Sequence, residues 1–132
     1  MIFKLSDCRV RTTLNVIRGK WKPIIIKALR SGSLGYAELR RVAPEPSEKV
    51  ITAQLRELER DKIISRSVFL ERIVRVEYSL TNYGWTLVPV LVRMNEWGQR
   101  HRQFVLGGQK DVVGKIAPSP LTAAFDRREA AS

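Results

Sequence analysis

At Asp61 the spacing of apolar residues changes period, and that change restricts the available folds more than any other feature of the chain. Upstream, "PSEKVITAQLRELERD" (Pro46–Asp61) places Ile51, Leu55 and Leu58 within about 60° of one another on a helical projection. Downstream, "IISRSVFL" (Ile63–Leu70) is rich in β-branched and aromatic residues. "RVEYSLT" (Arg75–Thr81) then alternates, with Val76, Tyr78 and Leu80 on one face and Arg75, Glu77 and Ser79 on the other. Only Glu71-Arg72-Ile73-Val74 separates the two runs, so they predict a two-stranded antiparallel hairpin.

Further helices precede this junction. "TTLNVIRG" (Thr12–Gly19) predicts a short helix ending at glycine. In "KWKPIIIKALRSG", Pro23 suits a first helical turn, where its missing N–H leaves no bond unmade. Trp21, Ile24, Ile25, Ala28 and Leu29 keep helical spacing up to a stop at Gly32. "YAELRRVA" (Tyr36–Ala43) predicts a third helix, with Leu39 and Val42 inward. "PEP" breaks the chain, and Ser47 is placed to cap the helix that follows. After the hairpin, Thr81 is placed to cap a long helix through His101, with Pro89 bending it. Its apolar residues (Tyr83, Trp85, Leu87, Val88, Val90, Leu91, Val92, Met94 and Trp97) occupy most of the circumference. Such a helix is covered on more than one side, which predicts a second copy of the chain against it. The expected fold is mainly α with a small antiparallel β-hairpin: a winged helix-turn-helix over residues 1–102, dimeric through its last helix. From Gln103 the chain has glycines, prolines and no sustained period. Residues 103–132 are expected to be a mobile extension, within which "LTAAFDRREAA" is able to form a short helix.

Charge indicates the kind of partner. The 132 residues hold 24 Lys and Arg against 13 Asp and Glu, a net charge of +11. Nearly all of the excess lies in residues 1–102, in the folded part and not in a tail. A bias of this size predicts a polyanionic partner, nucleic acid first and an anionic membrane surface second. The N-terminus shows no secretory signal, and no apolar run spans a bilayer, so a cytoplasmic protein is expected. One cysteine cannot form an internal disulfide, and nothing is spaced for a metal. No base, oxyanion site or glycine-rich phosphate loop accompanies Cys8, so neither an enzyme nor a bound cofactor is expected.

Opposite its apolar stripe, the Pro46–Asp61 helix carries Lys49, Ala53, Arg56 and Arg60, with Thr52 at the margin. A DNA major groove, roughly 12 Å wide, admits one helix. A small residue at the centre of the exposed face lets the helix seat deeply. Lys, Arg and Thr then reach phosphates or base edges. The plainer reading is a solvated charged face, in which Glu57 pairs with Arg60 or Glu59 with Lys62. The preceding short helix, the following hairpin and the net charge favour DNA. On the hairpin, Arg66, Arg72 and Arg75 have the same two readings: contact with the duplex, or solubility and edge protection. Contact is assigned to Arg75 and Arg72.

Four stretches together carry a resemblance: "C…TLNVIRGKWKPIII", "YAELRR", "SEKVITAQLRELERDKIISRSV" and "RVEYSLTNYGWTLVPVL…WG..H". Over about residues 8–101 the chain resembles HxlR-type transcriptional regulators, MarR-like winged helix-turn-helix proteins. The resemblance implies a recognition helix at Ser47–Asp61, a wing at Ile64–Thr81, a dimer through the terminal helices, and promoter DNA as partner. Ser47, Lys49, Thr52, Ala53, Arg56, Arg60, Arg72 and Arg75 are the expected DNA-binding residues. Three departures stand out: Ile73-Val74 where prolines are frequent, Gly35 where arginine is frequent, and Glu45-Pro46 before Ser47. Cys8, flanked by Asp7 and Arg9 with Arg11 nearby, stands before the first helix in a basic setting that favours reactive thiols. Some relatives sense oxidants or electrophiles with a cysteine at this place, which makes Cys8 the redox-sensing candidate; the alternative is an idle thiol. A small-molecule effector is compatible with the same architecture. His101 is expected to be a polar partner or a dimer-edge residue. The competing functional class is a winged-helix module that binds RNA or a protein without operator specificity.

Overall fold

The computed structural model describes residues 8–107. The expectations for the first seven residues and for "LTAAFDRREAA" lie outside the described residues. The elements are α1 (Val10–Val16), α2 (Trp21–Leu29), β1 (Leu34–Gly35), α3 (Tyr36–Val42), α4 (Glu48–Arg60), β2 (Ile64–Leu70), β3 (Val74–Leu80), α5 (Asn82–Trp85) and α6 (Val88–Leu106). Residues 10–92 form one compact unit; residues 8–9 and 93–107 belong to another.

The core of residues 10–92 is aliphatic. Ile25, Ile26 and Leu29 of α2 meet Leu39 of α3 and Ile51, Leu55 and Leu58 of α4, with Ile63, Ile64 and Tyr78 from the ribbon. Each of the α4 residues is at most 1% exposed. Removing one such leucine side chain costs about 2–5 kcal/mol. The buried stripe of α2 differs from the expected one. It is Lys22, Ile25, Ile26 and Leu29, while Trp21, Ile24 and Ala28 are half-buried against its edge.

The sheet has three strands in the order β1-β3-β2, all antiparallel neighbours. The expected hairpin is present, with Ile64 opposite Leu80 at its root and Leu70 opposite Val74 at its tip. Val74, expected in the turn, begins β3, which leaves the turn as Glu71-Arg72-Ile73. The additional strand β1 pairs Leu34 with Tyr78 and Gly35 with Glu77. Two residues are too few to display an alternation, so β1 has no pattern in the sequence.

Two turns fix α4. At its start, Ser47 accepts a hydrogen bond from the Val50 N–H at 3.2 Å, and Arg40 of α3 donates to the Pro46 carbonyl. At its end, Lys62 adopts the left-handed conformation (φ 65°). The Ile63 N–H reaches the Leu58 carbonyl at 2.9 Å, and the Lys62 N–H reaches Glu59 at 3.0 Å. That is a Schellman arrangement, with Ile63 and Leu58 both buried in the core.

The junction after the wing is bound to the same turn. The Thr81 N–H donates to the Ile63 carbonyl at 3.0 Å, and its hydroxyl donates to the Lys62 carbonyl at 2.6 Å. That hydroxyl also accepts from the Gly84 N–H at 2.8 Å, capping α5. Gly84 lies against the Ile63 carbonyl so closely that a Cβ would sit 2.1 Å from its oxygen.

The single long helix expected from Thr81 is divided, not bent. Residues 86 and 87 turn between α5 and α6, with Thr86 N–H to Tyr83 and Leu87 N–H to Gly84 carbonyl bonds. Pro89 thus falls in the first turn of a new helix. Inside a continuous helix its ring would strike the Trp85 carbonyl and leave it without a donor. From there α6 runs to Leu106, past the expected start of the extension at residue 103. Within residues 93–107, Arg93 pairs with Glu96 at 3.0 Å, and Trp97 stacks on His101 with ring centroids 4.9 Å apart.

Candidate nucleic-acid interface

The two faces of α4 separate as the projection predicts. Ile51, Leu55 and Leu58 are buried, Lys49, Ala53, Arg56 and Arg60 are exposed, and Thr52 lies between. The four exposed residues recur at three- and four-residue intervals and form one stripe, with the Ala53 methyl between the charges. Packing produces this surface: the leucines fix the rotation of α4, and the cations have nowhere to go but outward.

The charges differ in how far they are compensated. Among the described residues Lys49 and Arg56 have no ion-pair partner. Arg60 lies 3.8 Å from Asp61, and Arg75 lies 3.3 Å from Glu77. Exposed pairs of this kind hold a side chain weakly, so Arg60 and Arg75 are easily diverted to a phosphate. Ser47 is committed as the helix cap, where its oxygen accepts. Its hydroxyl proton remains available to an acceptor outside the protein.

Glu57 does not pair with Arg60. Its carboxylate meets the Lys22 ammonium at 2.5 Å, and Lys22 is 1% exposed. The hydrogen bond from Lys22 holds the Glu57 carboxyl below its ordinary value of 4.5. Partial burial opposes the shift, while the charges of Lys22, Arg18 and Arg60 add to it. The pair ties α2 to the middle of α4 and engages an acid on the same helix as the cationic stripe. Sequence reasoning missed Lys22 because a lysine beside Trp21 and Pro23 reads as solvated. The signal was its position, since residues 22, 25, 26 and 29 make one helical face.

On the ribbon, the Arg75 guanidinium lies 5.1 Å from the Phe69 ring centroid, a cation–π contact between directly opposite residues. Arg72 stands exposed in the turn, and Arg66 is exposed on β2. The structure thus brings Ser47, Lys49, Thr52, Ala53, Arg56 and Arg60 onto one helix and Arg72 and Arg75 onto the ribbon that leaves its C-terminal end. Cys8 is half-buried, two residues before α1. No cluster of metal-ligating side chains occurs among the described residues.

Residues 16–104 match the family described as HxlR-like helix-turn-helix. An uncharacterised HTH-type transcriptional regulator of Bacillus subtilis (strain 168), YdeP, is 44% identical over 100 residues, covering 76% of this chain and 78% of that protein. The solved structure of the redox regulator HypR in its reduced form is similar at 42% identity and a TM-score of 0.70, over 74% of this chain and 97% of that one. Diamide-treated YodB from B. subtilis is similar at 28% identity and a TM-score of 0.64, over 74% and 96% of the two chains.

Proposed function

Because the chain belongs to the HxlR-like helix-turn-helix family, we propose that it is a sequence-specific DNA-binding transcriptional regulator that acts as a homodimer in the cytoplasm. The observation that carries this reading is the exposed stripe of α4, in which uncompensated Lys49 and Arg56 flank a small residue. In this role α4 enters the major groove with Ala53 at its seat. Arg56 and Lys49 reach base edges or phosphates, Thr52 serves either, and Ser47 and Arg60 hold the backbone. Arg72 and Arg75 bring the wing onto the flanking backbone.

Exposed apolar side chains on two helices support the dimer. Helix α6 leaves Val90, Met94, Trp97, Val105 and Leu106 exposed, and α1 leaves Val10 and Leu14 exposed. Apolar side chains in this number on two helices fit a buried interface better than a solvated surface. Residues up to Leu106, the end of α6, act as the DNA-binding and dimerisation part. No helix among the described residues is long and apolar enough to cross a membrane.

Selection of bound duplexes from a random-sequence pool tests this function. A recovered consensus with twofold symmetry, its half-sites about one helical turn apart or a multiple of it, is the expected result. Recovery of no consensus over competitor DNA overturns it in favour of an RNA- or protein-binding module. Cys8 is the residue through which an oxidant or electrophile would act, a reading supported by the likeness to a redox regulator. Repeating the selection after oxidant treatment, with Cys8→Ser alongside, tests that role. A wild type insensitive to oxidant removes it.

A further inference from the structure

The ribbon carries an apolar stripe that the fold does not use. Residues opposite one another in an antiparallel ladder share a face. Arg66, Val68 and Leu70 therefore lie on the same face as Val74, Val76 and Tyr78. At the root this face belongs to the core, where Ile64 and Tyr78 are buried. Toward the tip it is bare: Val68 is 45% exposed, Val74 61% and Leu70 84%, and Ile73 in the turn is 83% exposed. Single exposed hydrophobic residues are ordinary, but four together at the end of a ribbon are not. Arg66 at the base of the stripe and Arg72 in the turn have no ion-pair partner among the described residues. Glu71 is the acid of the turn, and Glu77 is turned to Arg75 on the other face.

We propose that this tip is a minor-groove wedge, an inference that rests on the DNA-binding reading above. With α4 in the major groove, Leu70 and Ile73 enter the adjacent minor groove and partly unstack one base step, while Arg66 and Arg72 lie on the phosphates to either side. The duplex bends away from the inserted side chains. The dimensions agree. From Ile64 to Leu70 the strand advances about 20 Å at roughly 3.4 Å per residue. Half a turn of duplex, the offset between neighbouring major and minor grooves, is about 17 Å. Two bulky aliphatic side chains on either side of Glu71 and Arg72, with the Arg72 guanidinium at the tip and Arg66 at the base of the same face, are what a minor groove accepts: apolar wedges between steps and cations toward its backbone.

Gel mobility of a selected duplex, placed at successive positions along a longer fragment, measures the bend. The wild type is expected to bend it by at least about 20°. The double variant Leu70→Ser/Ile73→Ser is expected to keep the sequence preference and lose at least half of the bend. Leu70→Met/Ile73→Met is expected to retain the bend, which excludes a general weakening of the ribbon. A wild type that binds its duplex without bending it overturns the wedge and leaves the DNA-binding reading intact. So does a serine variant that bends as the wild type does. A wild type that prefers no duplex overturns both. Sedimentation with phosphatidylserine–phosphatidylcholine vesicles is the remaining arm: vesicle binding abolished by the serines, with the bend unchanged, assigns the tip to a lipid surface instead.

Discussion

Gly84 stands where backbone approaches backbone. A side chain there would meet the Ile63 carbonyl, which itself accepts the Thr81 N–H. Neither partner can yield without opening the turn that ends α4. Gly84→Ala is therefore expected to destabilise the protein by about 3 kcal/mol, at the upper end of overpacking costs. Denaturant unfolding followed by circular dichroism measures it. Loss below about 1 kcal/mol would mean that the α5 turn moves freely from the ribbon root. This site is partly legible in the sequence, since Thr81 reads as a cap. The need for glycine three residues later is not, because it comes from a carbonyl eighteen positions before Thr81 that only the closed fold brings near.

At the scale of elements, α4 is held by its leucines and by one ion pair. Truncating Glu57 leaves the Lys22 ammonium buried without a partner, and Glu57→Ala is expected to cost about 2 kcal/mol, below the full loss of a completely buried pair because water reaches the carboxylate. Lys22→Met is expected to cost less, since Glu57 left alone is partly solvated. The carboxyl's lowered pKa fixes the pH dependence. The folded chain binds this proton less readily than the unfolded chain does, so the contribution is complete above 4.5 and is lost as pH falls through the lowered value. Stability against pH should decline less steeply in acid for Glu57→Gln than for the wild type; parallel curves would refute the assignment. On the outer face, Arg56→Ala is expected to weaken binding to a selected site by about 1–3 kcal/mol with unfolding unchanged. Equal loss on random DNA would make Arg56 a phosphate anchor. The outer face was legible because the 3.6 period of α4 is unbroken. The partner of Glu57 was not, because helical neighbours at three and four positions are visible in a sequence and a residue from another helix is not.

For the whole molecule, charge sets the conditions of function. A net charge of +11, nearly all of it within residues 1–102, predicts that affinity for a selected duplex falls at least about a hundredfold between roughly 50 and 200 mM salt, as phosphate contacts release counterions. Titrations at several salt concentrations give the slope, and a flat response would argue against phosphate contacts as the main source of affinity. The order of helices and the hairpin could be read from hydrophobic period alone, since long elements repeat their pattern often enough to identify it. The short strand β1 and the division at residues 86 and 87 could not. The first is made by its partner strand, and the second by a steric conflict that a helical pattern does not register. The burial of Lys22 has a chemical consequence. An acylating reagent that modifies exposed Lys20, Lys27, Lys49 and Lys62 must wait at Lys22 until α2 and α4 part, so the rate of acylation at that single amine times the opening of the folded chain.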